Sequence, residues 1–125
     1  MKYIISIIII IVLIIINTAF NKNNEDINLI IQTLIRQSAR WSLAAKQDEN
    51  LLIAVLHANY GAGYLWALKD IATDEQIKTA TGINMSDFTK KIVSIQDSVT
   101  KRLAKTCHEY SGNSDKYLAA IAGES

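Results

Sequence analysis

The stretch Tyr3–Phe20 reads YIISIIIIIVLIIINTAF. From Ile4 to Ile16 only Ser6 interrupts a run of isoleucine, valine and leucine, and Asn17-Thr18-Ala19-Phe20 prolongs it weakly. As a helix these residues cover about 27 Å, close to the roughly 30 Å hydrocarbon core of a bilayer. A helix bonds all its backbone groups internally, which lipid demands. Isoleucine is a mediocre helix former in water, but burial in lipid overrides that preference. A thirteen-residue apolar run from Ile4 to Ile16 suits no ordinary strand. The bilayer is therefore the expected partner of residues 3–20.

A retained signal-anchor and a cleaved signal peptide share this pattern. Cleavage after Ala19 needs small residues one and three positions upstream of the cut; Ala19 suits the first, Asn17 suits the second poorly. Retention is the favoured expectation, and a secreted form is the alternative. Lys2 and the amine precede the run, whereas Lys22, Glu25 and Asp26 lie beyond it. The positive-inside bias then predicts a cytoplasmic N-terminus and a single-pass topology with the remainder outside the cytoplasm or in a lumen.

Beyond Phe20 the composition is that of a folded helical chain. Half of the 125 residues are hydrophobic, there is no proline, and there are five glycines. Tight-turned sheets normally need more of both breakers. Residues 21–125 carry twelve basic and twelve acidic side chains. A neutral domain has no overall field to gather polyanions, so nucleic acid is not an expected partner. One cysteine, Cys107, excludes an intramolecular disulfide or a multi-cysteine metal site.

Asn21–Glu25 reads as a polar linker. From Asp26, Ile27, Ile31, Leu34, Ser38, Trp41 and Ala45 recur at helical spacing and form a core stripe, widened by Ile30 and Ile35. Arg36 and Arg40 lie off it, on a face read as solvated. Gln47–Asn50 breaks the pattern, and Asn50 or Asp48 can cap the next helix. Leu51–Leu68 is apolar nearly all round, which predicts a buried central helix. A second membrane span there is disfavoured by His57, Asn59, Gly61 and Gly63. Ala54, Ala58 and Ala62 form a small-residue stripe suited to close helix packing.

Thr73-Asp74-Glu75-Gln76 reads as a capping box opening a short helix that Gly82 ends, with Ile83 folding back. Asn84–Asp87 starts the next helix. Phe88, Ile92, Ile95, Val99, Leu103, Cys107 and Tyr110 form its apolar stripe, and Asp87–Lys91 and Asp97–Lys101 are spaced for ion pairs. Ser111-Gly112 reads as its end, with Ser114 capping a last short helix over residues 115–122. The sequence thus predicts an all-α chain. A single transmembrane signal-anchor helix (1–20) and a linker (21–25) lead into a helical bundle domain (26–125). The bundle has three main helices plus one or two short ones, and its oligomeric state is open.

Few residues can carry chemistry. His57, Tyr60 and Tyr64 share one side of the central helix, an imidazole and two phenols that could hold a ligand or relay a proton. The plainer reading is a hydrogen-bonded histidine beside two packing tyrosines. Asn59 and Asp70, with Gly63 and Trp66, fall on the other side, where Arg36 or Arg40 could pair with them. Adjacent helical residues point about 100° apart, so Cys107 and His108 cannot readily ligate one metal. A His57–Cys107 catalytic pair would need tertiary contact that no spacing implies. Asn84-Met85-Ser86 fits an N-glycosylation acceptor but is better explained as a helix start. Lys90, Lys91, Lys101, Arg102 and Lys105 read as solvated surface. No catalytic residue, cofactor or metal ligand is assigned. The expected role is a membrane-anchored interaction or structural module. The alternatives are a small helical enzyme or ligand-binding domain using the His57/Tyr60/Tyr64 face, and a secreted effector.

Overall fold

The computed structural model describes residues 1–107 and is all-helical over that range. Four helices succeed one another: α1, Lys2–Gln47; α2, Leu51–Ile71; α3, Asp74–Thr81; and α4, Met85–Thr106. Tyr110, the Ser111-Gly112 stop and the short helix expected over 115–122 lie outside the described residues, as do His108 and Glu109.

The first helix departs from expectation. Asn21–Glu25, a linker by its polarity, is helical, and α1 runs 46 residues without a break, about 69 Å. The reason is local. No glycine or proline occurs before Gly61. The asparagines at 17, 21, 23 and 24 each cost no more than about 0.7 kcal/mol relative to alanine. Opening the helix there would instead orphan up to about four carbonyls and four amides. With stable helix on both sides, propagation through the polar stretch is the cheaper outcome. No described side chain from Tyr3 to Asp26 is buried. Within the apolar run the Thr18 hydroxyl donates to the Ile14 carbonyl at 2.8 Å, so it is not left bare.

From Ile27 onward α1 becomes one wall of a small bundle. Ile31 and Ile35 join Ala62, Leu65, Leu68, Ile77, Met85 and Ile92 in the main core, and Ala45, Ala54, Ala58 and Val99 form a second cluster at the far end. These pairings make α1 and α2 antiparallel, α2 and α4 antiparallel, and α1 and α4 parallel. The tightest approach is between α1 and α2. The Ser38 hydroxyl donates to the Gly61 carbonyl at 2.7 Å, and this bond is buried. A Cβ at Gly61 would press on the Ser42 hydroxyl and stand 3.0 Å from the Ser42 amide nitrogen and 3.1 Å from the Ser38 carbonyl oxygen. The alanine stripe does what its spacing implies, since Ala54, Ala58 and Ala62 are all buried. Gly63 does not share that role, because nothing lies within 4 Å of where its Cβ would be.

The caps match the sequence closely. Asn50 accepts from the amides of Leu52 and Ile53, and Asn84 from that of Asp87. Thr73 and Gln76 close the capping box reciprocally. Gly82 ends α3 with φ of 74°, a left-handed conformation that suits glycine. Ile83 folds back against the main core. The Asp87–Lys91 and Asp97–Lys101 pairs do not close: among the described residues the sole ion pair within 4.0 Å joins His57 and Asp48. In water, exposed pairs of this spacing gain only a few tenths of a kcal/mol, about 0.2–0.5, so their side chains disperse readily.

The α1–α2 contact generates a contrast. Gly61→Ala should destabilise by about 1–3 kcal/mol through overpacking, and Ser42→Ala in the same chain should recover part of that loss. Gly63→Ala should be neutral or stabilising by up to about 1 kcal/mol, from helix propensity. Urea unfolding of the detergent-solubilised chain reads both. Equal effects at the two glycines would contradict the close approach.

Candidate functional site

The side chains with chemical potential gather where α1 and α2 cross near the C-terminal end of α1. Antiparallel pairing at this crossing sets Trp41 opposite His57. Their rings lie 4.9 Å apart between centroids, and Trp41 meets Tyr60 edge-on at 5.4 Å. His57 and Tyr60 are 6.4 Å apart. Asp48, which closes the C-terminus of α1, turns its carboxylate to His57 at 2.7 Å from Nδ1. Both side chains remain 23% exposed. The imidazole is thus held by the Asp48 carboxylate and flanked by the Trp41 indole, with the Tyr60 phenol nearby.

Beside this cluster, Trp41, Tyr60, Tyr64, Asn59, Gly63 and Ala67 line a mostly apolar hollow of about 390 Å³. Gly63 makes the notch: without a side chain it leaves open space between the rings. His57, Tyr60 and Tyr64 therefore do share a side of α2, as their spacing implies, but only the two tyrosines line the hollow. Asn59 and Gly63 border the same hollow rather than lying apart from it. At 100° per residue, Asn59 is only one step round the helix from Tyr60.

Asp70 is elsewhere and exposed, and neither arginine reaches it or Asn59. Asn59 instead accepts from Gln96 of α4 at 2.9 Å. Arg36 reaches Thr33 at 3.5 Å, and Arg40 lies 5.7 Å from the Trp41 ring centre. Both arginines are exposed, in keeping with a solvated face.

The residue that sequence reasoning misses is Trp41. Its spacing places it on the core stripe of α1, yet it is half-buried with its ring given to the site. Only the α1–α2 register reveals this, and single-helix periodicity does not encode register. Asp48 is a candidate cap for α2 by position; Asn50 takes that role, which frees Asp48 for His57.

A His–Asp pair alone does no group transfer; it needs a nucleophile or bound substrate at the other imidazole nitrogen. Cys107, the candidate nucleophile of the sequence, is half-buried at the end of α4, whereas His57 contacts Asp48, Trp41 and Tyr60. Among the described residues no three metal-ligating side chains cluster. What the arrangement offers is an aromatic surface with a notch, lined by Trp41, Tyr60 and Tyr64 and able to receive an apolar or aromatic group, with the imidazole of His57 beside it.

A double-mutant cycle tests the Asp48–His57 pair. Asp48→Ala and His57→Ala should show a coupling of about 1 kcal/mol in urea unfolding. Additive effects within about 0.3 kcal/mol would mean the two side chains do not interact. Compared with known proteins, the chain matches no family model, no curated protein and no solved structure.

Proposed function

We propose that this protein is a single-pass, membrane-anchored interaction module. In this reading residues 3–20 of α1 sit in lipid, the N-terminus is cytoplasmic, and the bundle is held outside the cytoplasm to receive a protein partner. The observation that carries the proposal is the exposed face of α2. The helix buries one side, through Ala54, Ala58, Gly61, Ala62, Leu65 and Leu68. The other side presents Leu52, Leu56, Tyr60, Trp66 and Ile71 to solvent, each more than 40% exposed. The expectation of a helix buried all round is corrected here: α1 and α4 cover one flank, and among the described residues no fourth main helix covers the other.

Both α1 and α2 are long and apolar enough to cross a membrane. They differ in what they pack against. The apolar stretch of α1 buries nothing within the chain. Each large aliphatic side chain left in water forfeits about 1.5–3 kcal/mol, and lipid removes that penalty. A third of the apolar window of α2 is buried inside the bundle, so α2 is read as a protein-facing helix. Large exposed apolar patches on folded domains mark interaction sites, and aromatic residues beside a hollow are typical anchors for a partner.

A ligand-binding role for His57, Tyr60 and Tyr64 is the second reading. The hollow lined by Tyr60 and Tyr64 would take the ligand, with the Asp48-bonded imidazole beside it.

Two measurements check the proposal. The chain should stay with membranes through an alkaline carbonate wash and give an intact mass that includes Met1–Ala19; a mass lacking them would establish the secreted alternative. A photo-crosslinking residue at Leu56 should give a discrete protein adduct in native membranes, and one at Lys90 should not. Adducts equally abundant at both positions, or at neither, would reject α2 as the recognition face.

A further inference from the structure

The α1–α4 interface carries a second site of different character. These parallel helices leave a groove between them. Its wider end, about 270 Å³, is ringed by Lys46, Lys91 and Arg102, with Ser94 and Ser98 between them over a floor of Ile95 and Val99. Its narrower end, about 190 Å³, shares Lys46, Lys91 and Ile95 and continues along Leu43, Phe88 and Ile92. One groove therefore has a cationic, hydroxyl-bearing mouth and an apolar extension.

The sequence of α4 builds this mouth. Lys91, Ser94, Ser98 and Arg102 recur at i, i+3, i+7 and i+11, which places them on one stripe of the helix. Every member of the stripe is a hydrogen-bond donor. Lys46, in the last turn of α1, faces them from across the groove. No carboxylate lines either end. Among the described residues none of the three cations is in an ion pair, the sole pair being His57–Asp48. Three like charges around one hollow repel one another, and a single oxyanion there would turn that repulsion into attraction. Guanidinium and ammonium donors with hydroxyls suit phosphate or carboxylate oxygens. Helical periodicity alone assigns Lys91 and Arg102 to solvated surface, because Lys46 is remote from them in the chain.

We propose that this groove binds an anionic amphiphile: a phosphate- or carboxylate-headed molecule with one short apolar chain. The headgroup sits among Lys46, Lys91, Arg102, Ser94 and Ser98, and the chain lies along Leu43, Phe88 and Ile92. The ligand arrives from the aqueous phase. Lys46 stands 26 residues beyond Phe20 on one continuous helix, about 39 Å along its axis. On the anchored topology, headgroups of the same bilayer do not reach it.

Isothermal titration of the full chain in phosphatidylcholine nanodiscs, with empty nanodiscs as the blank, tests this. Hexyl phosphate should bind saturably at one site per chain, about ten-fold more tightly than inorganic phosphate. Lys91→Gln with Arg102→Gln should weaken it ten-fold or more. Lys101→Gln with Lys105→Gln, an equal loss of charge on the same helix outside the groove, should leave it unchanged. Leu43→Gln, at an exposed position, should remove the advantage over inorganic phosphate. Doping the nanodiscs with phosphatidic acid should not displace hexyl phosphate. Circular dichroism melts confirm that each variant is folded. Absence of saturable binding, equal affinity for hexyl phosphate and inorganic phosphate, equal losses in the two charge pairs, or displacement by phosphatidic acid would each overturn the proposal.

Discussion

One constraint organises the molecule: α1 finds no place to stop before Gln47. Its 46 residues include neither glycine nor proline, and a helix that ends must find partners for its unbonded terminal groups. The apolar segment and the first bundle wall therefore become a single rod. A rod transmits orientation as well as attachment. Wherever the isoleucine-rich end rests, the faces of the bundle are fixed relative to it, with Trp41 and Lys46 far from the apolar segment. The α2–α3 connection lies closer, since Ile27, Asn28 and Ile31 border the same hollow as Thr73.

The bundle is then assembled by size rather than by charge. Alanine and glycine on α2 bring it against α1, and the Ser38–Gly61 hydrogen bond locks the register at the closest point. That register has consequences on both flanks. On one it sets Trp41 against His57 and Tyr60. On the other it leaves room for α4 to lie alongside α1 without full contact, which opens the groove below Lys46. Among the described residues three long helices do not enclose the middle one, so α2 is at once core and surface.

Much of this is legible in the residues. The stripe through Ile31 and Ile35, the alanine repeat, the Thr73–Gln76 box, the Gly82 stop and the Asn84 cap are local signals, and local physics reads them. The Asn21–Glu25 linker is the failure, because polarity is not the same as a break. Four asparagines within eight positions are polar but not helix-breaking when both flanks are helical. The site is legible in part. Tyr60 and Tyr64 announce themselves by spacing, and His57 by its polarity in an apolar helix. Trp41 and Asp48 complete their surroundings only through interhelical register and a three-residue connection, neither of which periodicity contains. The pairing of Lys46 with Lys91 and Arg102 is hidden for the same reason.

Rigid coupling of the apolar segment to the bundle requires α1 to be one helix throughout. Spin labels at Val12 and Arg40, in a Cys107→Ser background reconstituted into vesicles, measure this by pulsed electron paramagnetic resonance. An uninterrupted helix predicts a narrow distribution near 42 Å, 28 residues at about 1.5 Å each. A broad distribution centred well below that distance would show a joint at Asn21–Glu25 and would contradict the single rod.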